Sequence, residues 1–200
     1  MILLKLLNHP MEDVQTPILR TVGNLLTGDE ELTDLVISCE VLPCLTKLFE
    51  HPKMRIRRNV MWAISNVTAG NKKQIQDVID AEIFPKLFIM LSPMYNEAPE
   101  VMKEMYYVVT NALIRGNDAQ IQYLIDQGVI QRLCGGLLDL DPNVLSALLQ
   151  ALESILKYGE SSGTMEQVTK IIEECGGVAQ IEALQYPGGQ ISSAFSYLRY

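Results

Sequence analysis

Trp62 and Asn66 stand four residues apart, as do Tyr107 and Asn111. Arg20 and Asn24 repeat the spacing with a guanidinium in place of the ring. Four residues is about one turn of a helix, so each pair shares a face. This combination suits recognition of an extended peptide. An asparagine amide offers both a donor and an acceptor, so it can pair with a peptide's N–H and C=O whatever the side chains are. A ring face beside it can hold the stem of a lysine or arginine and attract its charge, worth about 0.5–2 kcal/mol. Arg55 and Asn59 extend the Trp62 stripe, Glu100 and Glu104 extend that of Tyr107, and Asp13 holds the matching place before Arg20. The carboxylates of Asp13, Glu30, Glu100 and Glu104 are placed to meet basic head groups.

Catalytic chemistry has no comparable pattern. The sequence contains no GxGxxG, Walker A or GxSxG motif. His9 and His51 lie beside prolines, away from any Cys or carboxylate cluster at ligand spacing. Cys39, Cys44, Cys134 and Cys175 form no CxxC pair and read as reduced, mostly buried thiols. No enzyme activity, metal or cofactor is therefore expected. The net charge of −8 argues against binding nucleic acid, which calls for clustered Lys and Arg, and suits a basic partner. The apolar content of 48% excludes a disordered chain. Met1 to Leu7 is mostly apolar but contains Lys5 and is too short to span a bilayer, so no membrane association is expected. The basic run from Lys53 to Arg58 reads as a solvated helix start.

These residues recur because the sequence is repetitive. Arg20-Thr-Val-Gly-Asn24-Leu-Leu-Thr-Gly28 aligns with Trp62-Ala-Ile-Ser-Asn66-Val-Thr-Ala-Gly70 and Tyr107-Val-Val-Thr-Asn111-Ala-Leu-Ile-Arg-Gly116. Gln150-Ala-Leu-Glu-Ser154-Ile-Leu-Lys-Tyr-Gly159 is a weaker fourth copy. The spacing is 42 residues from Asn24 to Asn66, 45 to Asn111 and 43 to Ser154. A second marker, Leu42-Pro43 and Phe84-Pro85, is also 42 apart. Helical units of this period are in the armadillo/HEAT range.

Ile56, Val60, Ile64 and Val67 form the buried stripe of one such helix. Gly28, Gly70, Gly116 and Gly159 follow the helices where a left-handed C-terminal cap belongs. Pro43 and Pro85 fit the first turn of the next helix. For one complete unit the pattern predicts helices over about 71–80, 83–91 and 98–114.

The whole chain, 1–200, is thus read as one domain fragment of armadillo/HEAT-type helical units. A partial unit covers 1–28, full units cover about 29–70, 71–116 and 117–159, and a terminal unit covers 160–200. The longer spacing places three extra residues in the Ser92–Pro99 loop; Glu160–Thr164 and Tyr186–Gly189 read as further polar loops. Ile2, Leu3, Leu4, Leu6 and Leu7 resemble an inner helix without its preceding neighbour, so the chain is expected to be part of a longer protein. Third helices packed about 10 Å apart, against about 3.3 Å per residue of extended peptide, would present one asparagine every third peptide residue. The fourth unit, with Ala147, Gln150 and Ser154, loses the ladder.

At these residues the chain resembles importin-α. Thr16-Pro-Ile-Leu-Arg-Thr-Val-Gly-Asn-Leu-Leu-Thr-Gly28 is similar to the family's sixth repeat, and Trp62 to Ala81 to its seventh, running into the eighth. Gln120 to Gly128 is similar to the ninth, and Ala151–Leu156 and Ile171–Leu184 to the end of the solenoid. The resemblance implies an all-α, right-handed superhelical armadillo solenoid of three-helix units. It also implies a nuclear import adaptor that binds Lys/Arg-rich nuclear localisation signals in extended form.

By motif position, Arg20, Asn24, Trp62, Asn66, Glu104, Tyr107 and Asn111 would line the family's minor peptide site. Asp13, Glu30, Arg55, Asn59 and Glu100 would lie nearby in the groove. The resemblance further implies partners: cargo signal peptides, importin-β through a basic N-terminal segment absent here, and a recycling exportin at residues 163–200. Shuttling between cytoplasm and nucleus follows. The chain departs from the family at Tyr107, where tryptophan is usual, and at Asn59, where glutamate is usual. The competing reading is a catenin-like armadillo scaffold for other linear peptides or protein tails.

Overall fold

The chain is described here by a computed structural model, which covers residues 2–138 and 141–184. The Tyr186–Gly189 loop and the end of the terminal unit fall outside these residues. Among those described, all regular structure is helical. A partial unit holds α1 (Ile2–Leu6) and α2 (Glu12–Leu25). Then come α3 (Glu30–Ser38), α4 (Val41–Thr46) and α5 (Met54–Thr68). The next triplet is α6 (Lys72–Asp80), α7 (Ile83–Met90) and α8 (Pro99–Arg115). It is followed by α9 (Asp118–Asp126), α10 (Val129–Gly136) and α11 (Pro142–Ser162), and then by α12 (Met165–Glu174) and α13 (Gly177–Ala183). The long helices α2, α5, α8 and α11 pack successively on one another and form the spine of the stack.

The helices form for the reasons read in the sequence. Ile56, Val60, Ile64 and Val67 are fully buried on one side of α5, each contributing about 1.5–3 kcal/mol by burial. Apolar residues from α1 to α13 merge into a single core running the length of the stack. Pro43 and Pro85 occupy the first turns of α4 and α7, where the missing N–H is harmless.

The glycine reading needs correction. Gly28, Gly70, Gly116 and Gly159 are not left-handed. At Gly116 a Cβ would fall 2.5 Å from the Ala112 carbonyl, backbone that cannot give way, whereas at Gly28 and Gly70 it would displace side-chain ends, Leu32 Cδ2 at 2.7 Å and Gln74 Oε1 at 1.7 Å. Gly159 lies buried inside α11, 3.3 Å from the Met165 Cα on the same test. Glu160–Ser162 are likewise helical rather than loop, and α11 ends at Ser162 with Gly163 as its cap. Left-handed residues instead fall between the first and second helices of each unit, at Glu40, Glu82, Gly128 and Gly176, and at Gly163, which caps the third helix α11 four residues after the glycine expected to do so.

A second ladder fixes the first helices. Asn71 and Asn117 cap α6 and α9 through capping boxes with Gln74 and Gln120. Each glutamine then reaches the preceding unit. Gln74 Nε2 donates to the Glu30 carbonyl at 3.3 Å and to Asp34 at 3.0 Å. Gln120 Nε2 donates to the Lys72 carbonyl at 2.8 Å and to Gln76 at 3.2 Å. Gln120 is buried, so Gln120→Ala strands these groups and is expected to lower stability by about 1–3 kcal/mol. Urea denaturation would measure this against exposed Lys170→Ala, expected within about 0.5 kcal/mol of the parent.

Candidate peptide-binding groove

The third helices carry the candidate residues in order. Asp13, Arg20 and Asn24 are on α2; Arg55, Asn59, Trp62 and Asn66 on α5; Glu100, Glu104, Tyr107 and Asn111 on α8. Glu30 begins α3. Arg20, Asn24, Asp13, Glu30, Arg55 and Glu100 are exposed, while Asn59, Trp62, Asn66, Tyr107 and Asn111 are half-buried. Glu104 is buried.

Five of these residues meet in one place. Arg20, Arg55, Asn59, Trp62 and Glu104 line an open cleft of about 550 Å³ crossing α2, α5 and α8, together with Met54 and Arg58. Asn66 and Glu30 share a second hollow of about 250 Å³ with Gly70 and Gln74. Asp13, Asn24, Glu100, Tyr107 and Asn111 line neither.

Trp62 is held by what lies beneath it. A Cβ on Gly23 would stand 2.1 Å from the indole, so the ring lies against the α2 backbone and only a glycine admits it. The asparagines also have a structural task. Asn66 Nδ2 donates to the Gly23 carbonyl at 3.1 Å, and Asn111 Nδ2 to the Ser65 carbonyl at 3.1 Å. Gly23 and Ser65 hold equivalent places, each one residue before an asparagine. The Thr27 N–H turns to the Asn24 carbonyl, so Asn66 supplies a donor to the neighbouring Gly23 oxygen. The recurrence of asparagine in mid-helix thus has a local cause: it ties each third helix to the one before. The amide oxygens remain for other partners. In the fourth unit Gln150 Nε2 donates to Ser146 and Ser154 to the Gln150 carbonyl, both within α11.

The electrostatics differ from the carboxylate-rich groove expected from sequence. Burial raises the Glu104 carboxyl above the usual range, and the nearby Arg58 and Lys103 charges only partly offset this. Arg58 Nε lies 3.6 Å from it. The cleft therefore contains three arginines and one carboxylate. At the next unit, Lys103 Nζ stands 5.9 Å from the Tyr107 ring centroid and pairs with Asp141, which also caps α11.

Sequence reasoning missed Gly23, Arg58, Lys103 and Asp141. A signal was present: Arg58 and Lys103 each stand four residues before a ring, and Gly23, Ser65 and Thr110 are the small residues before each asparagine. The Lys53–Arg58 run is also more than a solvated helix start. Arg57 forms a buried fork with Glu97, and Arg58 enters the cleft.

Comparison with known proteins identifies the family and the fold. A family model, the armadillo/β-catenin-like repeat, matches residues 29–69. Importin subunit alpha-1b of Oryza sativa subsp. japonica is 40% identical over 188 residues, 92% of this chain and 35% of that protein. Importin subunit alpha-3 of Arabidopsis thaliana is 39% identical over 189 residues, with the same coverages of 92% and 35%. The chain belongs to the importin-α family. It spans about a third of the length of these importin-α relatives.

Solved structures agree on the armadillo fold of this importin-α segment. An engineered protein superposes with a TM-score of 0.81 at 23% identity, covering 98% of this chain and 46% of that one. A designed armadillo repeat protein in complex with the peptide (KR)4 superposes with a TM-score of 0.71 at 21% identity, covering 99% and 98%.

Proposed function

We propose that this chain is part of a nuclear import adaptor that holds extended Lys/Arg-rich localisation signals along its stacked third helices. The observation carrying this reading is the arrangement at Tyr107, where the chain's own Lys103 lies near the ring with its ammonium against Asp141. That is an alkylammonium held by a ring and a carboxylate, the chemistry a basic peptide would need. The importin-α relatives and the (KR)4 peptide of the designed protein support it. Asn24, Asn66 and Asn111 would meet the peptide backbone through their amides. Glu30, Glu100 and Asp13 would meet its basic heads.

Following the family pattern, importin-β would engage a basic segment that has no counterpart in these 200 residues. A recycling exportin would engage the last repeats, and the adaptor would move between cytoplasm and nucleus. Residues 185–200 of that exportin region lie outside the described structure. Among the described residues, no helix is long and apolar enough to cross a membrane.

Titration with a fluorescent Lys/Arg-rich peptide at two salt concentrations tests the reading. Binding is expected, and is expected to weaken as salt rises. A preference for an acidic peptide with no affinity for the basic one would favour the catenin-like scaffold instead. Lys103→Gln opens the Tyr107 ring and is expected to tighten the basic peptide about threefold, within the range of one cation–ring contact. Weaker binding in that variant would mean that Lys103 supports the groove rather than competing for it.

A further inference from the structure

The second helices of two adjacent units leave apolar surface in water. Between the end of α4 and α7 lies an open hollow of about 250 Å³. Phe49 and Met90 form its buried floor, and Ile89 stands on its rim with 65% of its surface exposed. Tyr95, from the Ser92–Ala98 loop, joins this hollow to a second one of about 360 Å³. Met94 lines the second hollow and is 96% exposed. Exposed apolar side chains gathered within a polar rim mark a place where another chain docks.

The loop holds Met94 out by its own bonds. The Tyr95 N–H donates to the Ser92 carbonyl at 2.9 Å, the Met94 N–H to Ser92 Oγ at 3.2 Å, and the Glu97 N–H to the Tyr95 carbonyl at 3.0 Å. Arg57 pins Glu97 from below. Methionine adapts to the shape of an apolar partner, and a loop already fixed spares the ordering cost of binding.

The charges on the rim select the partner. Lys47 follows α4 and Lys86 belongs to α7, so the hollow has an ammonium on each side. Both are exposed, and neither has an ion-pair partner among the described residues. Among those residues Glu50 is the one carboxylate lining this hollow, at its junction with the second. In the second hollow Arg57 and Glu97 neutralise each other. Positive charge is thus gathered around Ile89, Phe49 and Met90, although the chain carries a net charge of −8.

We infer that this face binds a segment of a partner protein in which a large apolar side chain stands beside acidic residues. The apolar side chain enters the hollow between α4 and α7, and the acidic residues lie over Lys47 and Lys86. The segment continues toward Met94 with apolar or uncharged residues, because Glu50 repels an acid there. None of these residues lines the Trp62 cleft. The site therefore goes beyond the peptide-groove reading and does not depend on it.

The test titrates a short peptide of Glu, Ser and Gly with one central Phe into protein carrying isotope-labelled methionine methyl groups. Met90 and Met94 report on this face and Met54 on the Trp62 cleft. Saturable shifts of the Met90 and Met94 signals are expected, with Met54 unmoved. Replacing the Phe of the probe by Ser should weaken it at least about tenfold. Replacing its Glu residues by Gln should weaken it about fivefold, the scale of a pair of exposed ion pairs. The double variant Lys47→Glu/Lys86→Glu should lose at least about tenfold in affinity for the acidic probe and gain affinity for the matching probe with Lys in place of Glu. Both lysines are exposed, so the variant should fold, and circular dichroism checks this.

Unmoved Met90 and Met94 signals, or acidic-probe binding that survives the charge reversal, would overturn the inference. So would a probe that moves Met54 or is displaced by the Lys/Arg-rich peptide, since it would then occupy the third-helix groove. Shifts at Met90 and Met94 that grow with protein concentration alone would identify a second copy of this chain as the occupant and overturn it too. If the acidic probe behaves as expected but the Lys/Arg-rich peptide does not bind, the groove reading fails and this site stands.

Discussion

Replacing Glu97 by alanine is expected to cost about 3 kcal/mol of stability, the lower end of the range for breaking a buried ion pair. Both Glu97 oxygens accept from Arg57, from Nε and Nη2 at 2.7 Å each. One of them also accepts from the Ala98 N–H, and Arg57 Nη1 reaches the His51 carbonyl at 2.7 Å. The Glu97 side chain is 2% exposed and that of Arg57 17%. Removing the carboxylate leaves a largely buried guanidinium without its counter-charge, and the residual contact of Arg57 with water limits the penalty. The same fork anchors the Ser92–Ala98 loop, which carries the extra residues of this unit, to the start of α5. Urea denaturation would measure the loss. A change below about 1 kcal/mol would mean that the loop is held by its apolar contacts alone.

The pair also sets an acid limit. Burial alone would raise the Glu97 carboxyl, but the Arg57 fork, the Ala98 N–H and the guanidinium charge outweigh it and hold it below the usual carboxylate range. A carboxyl depressed in the folded state stabilises above its ordinary pKa, and that contribution fades as pH falls through the depressed value. The parent should therefore lose stability on acidification, and Glu97→Ala should show a shallower loss. Glu104 works in the opposite sense. Its raised carboxyl takes up a proton more readily when folded, so acidification relieves it.

Trp62→Ala is expected to weaken the Lys/Arg peptide at least about thirtyfold, the scale of a tryptophan hot spot. Gly23→Ala should reproduce much of this loss with the tryptophan still present. Alanine favours a helix over glycine by about 1 kcal/mol, but its Cβ would stand 2.1 Å from the indole. The ring must leave its seat, and the emission of the single tryptophan reports the movement. Unchanged emission and affinity in Gly23→Ala would show that the ring position is not what the groove depends on. Adding Asn66→Ala to Trp62→Ala removes the amide and also the tie to the Gly23 carbonyl. The double variant should remain helical but be less stable by about 1 kcal/mol from that bond.

Most of the architecture was legible because it repeats. The 42–45 residue spacing of the Asn markers placed the third helices. In the unit read in detail, α6, α7 and α8 lie within a residue of their predicted bounds. The candidate residues were placed on one stripe of each helix, and Arg20, Arg55, Asn59, Trp62 and Glu104 do converge on one cleft. The capping glycines were misread because a helix-following Gly has two possible causes, handedness and space, and only the neighbouring atoms distinguish them.

The sequence by itself determined which residues share a helix face, because side-chain direction along a helix follows from its fixed turn. It thus determined the repeat, the buried stripes and the ring–amide pairs. The tertiary structure decided the partners across helices: Arg58 with Glu104, Asn66 with the Gly23 carbonyl, Lys103 with Asp141, and Arg57 with Glu97. Each joins residues 38–46 apart in the chain, and whether they meet depends on how one helix packs against the next. That packing is set jointly by the whole core, which no local spacing encodes, and it turned a stripe read as acidic into a cleft lined by arginine.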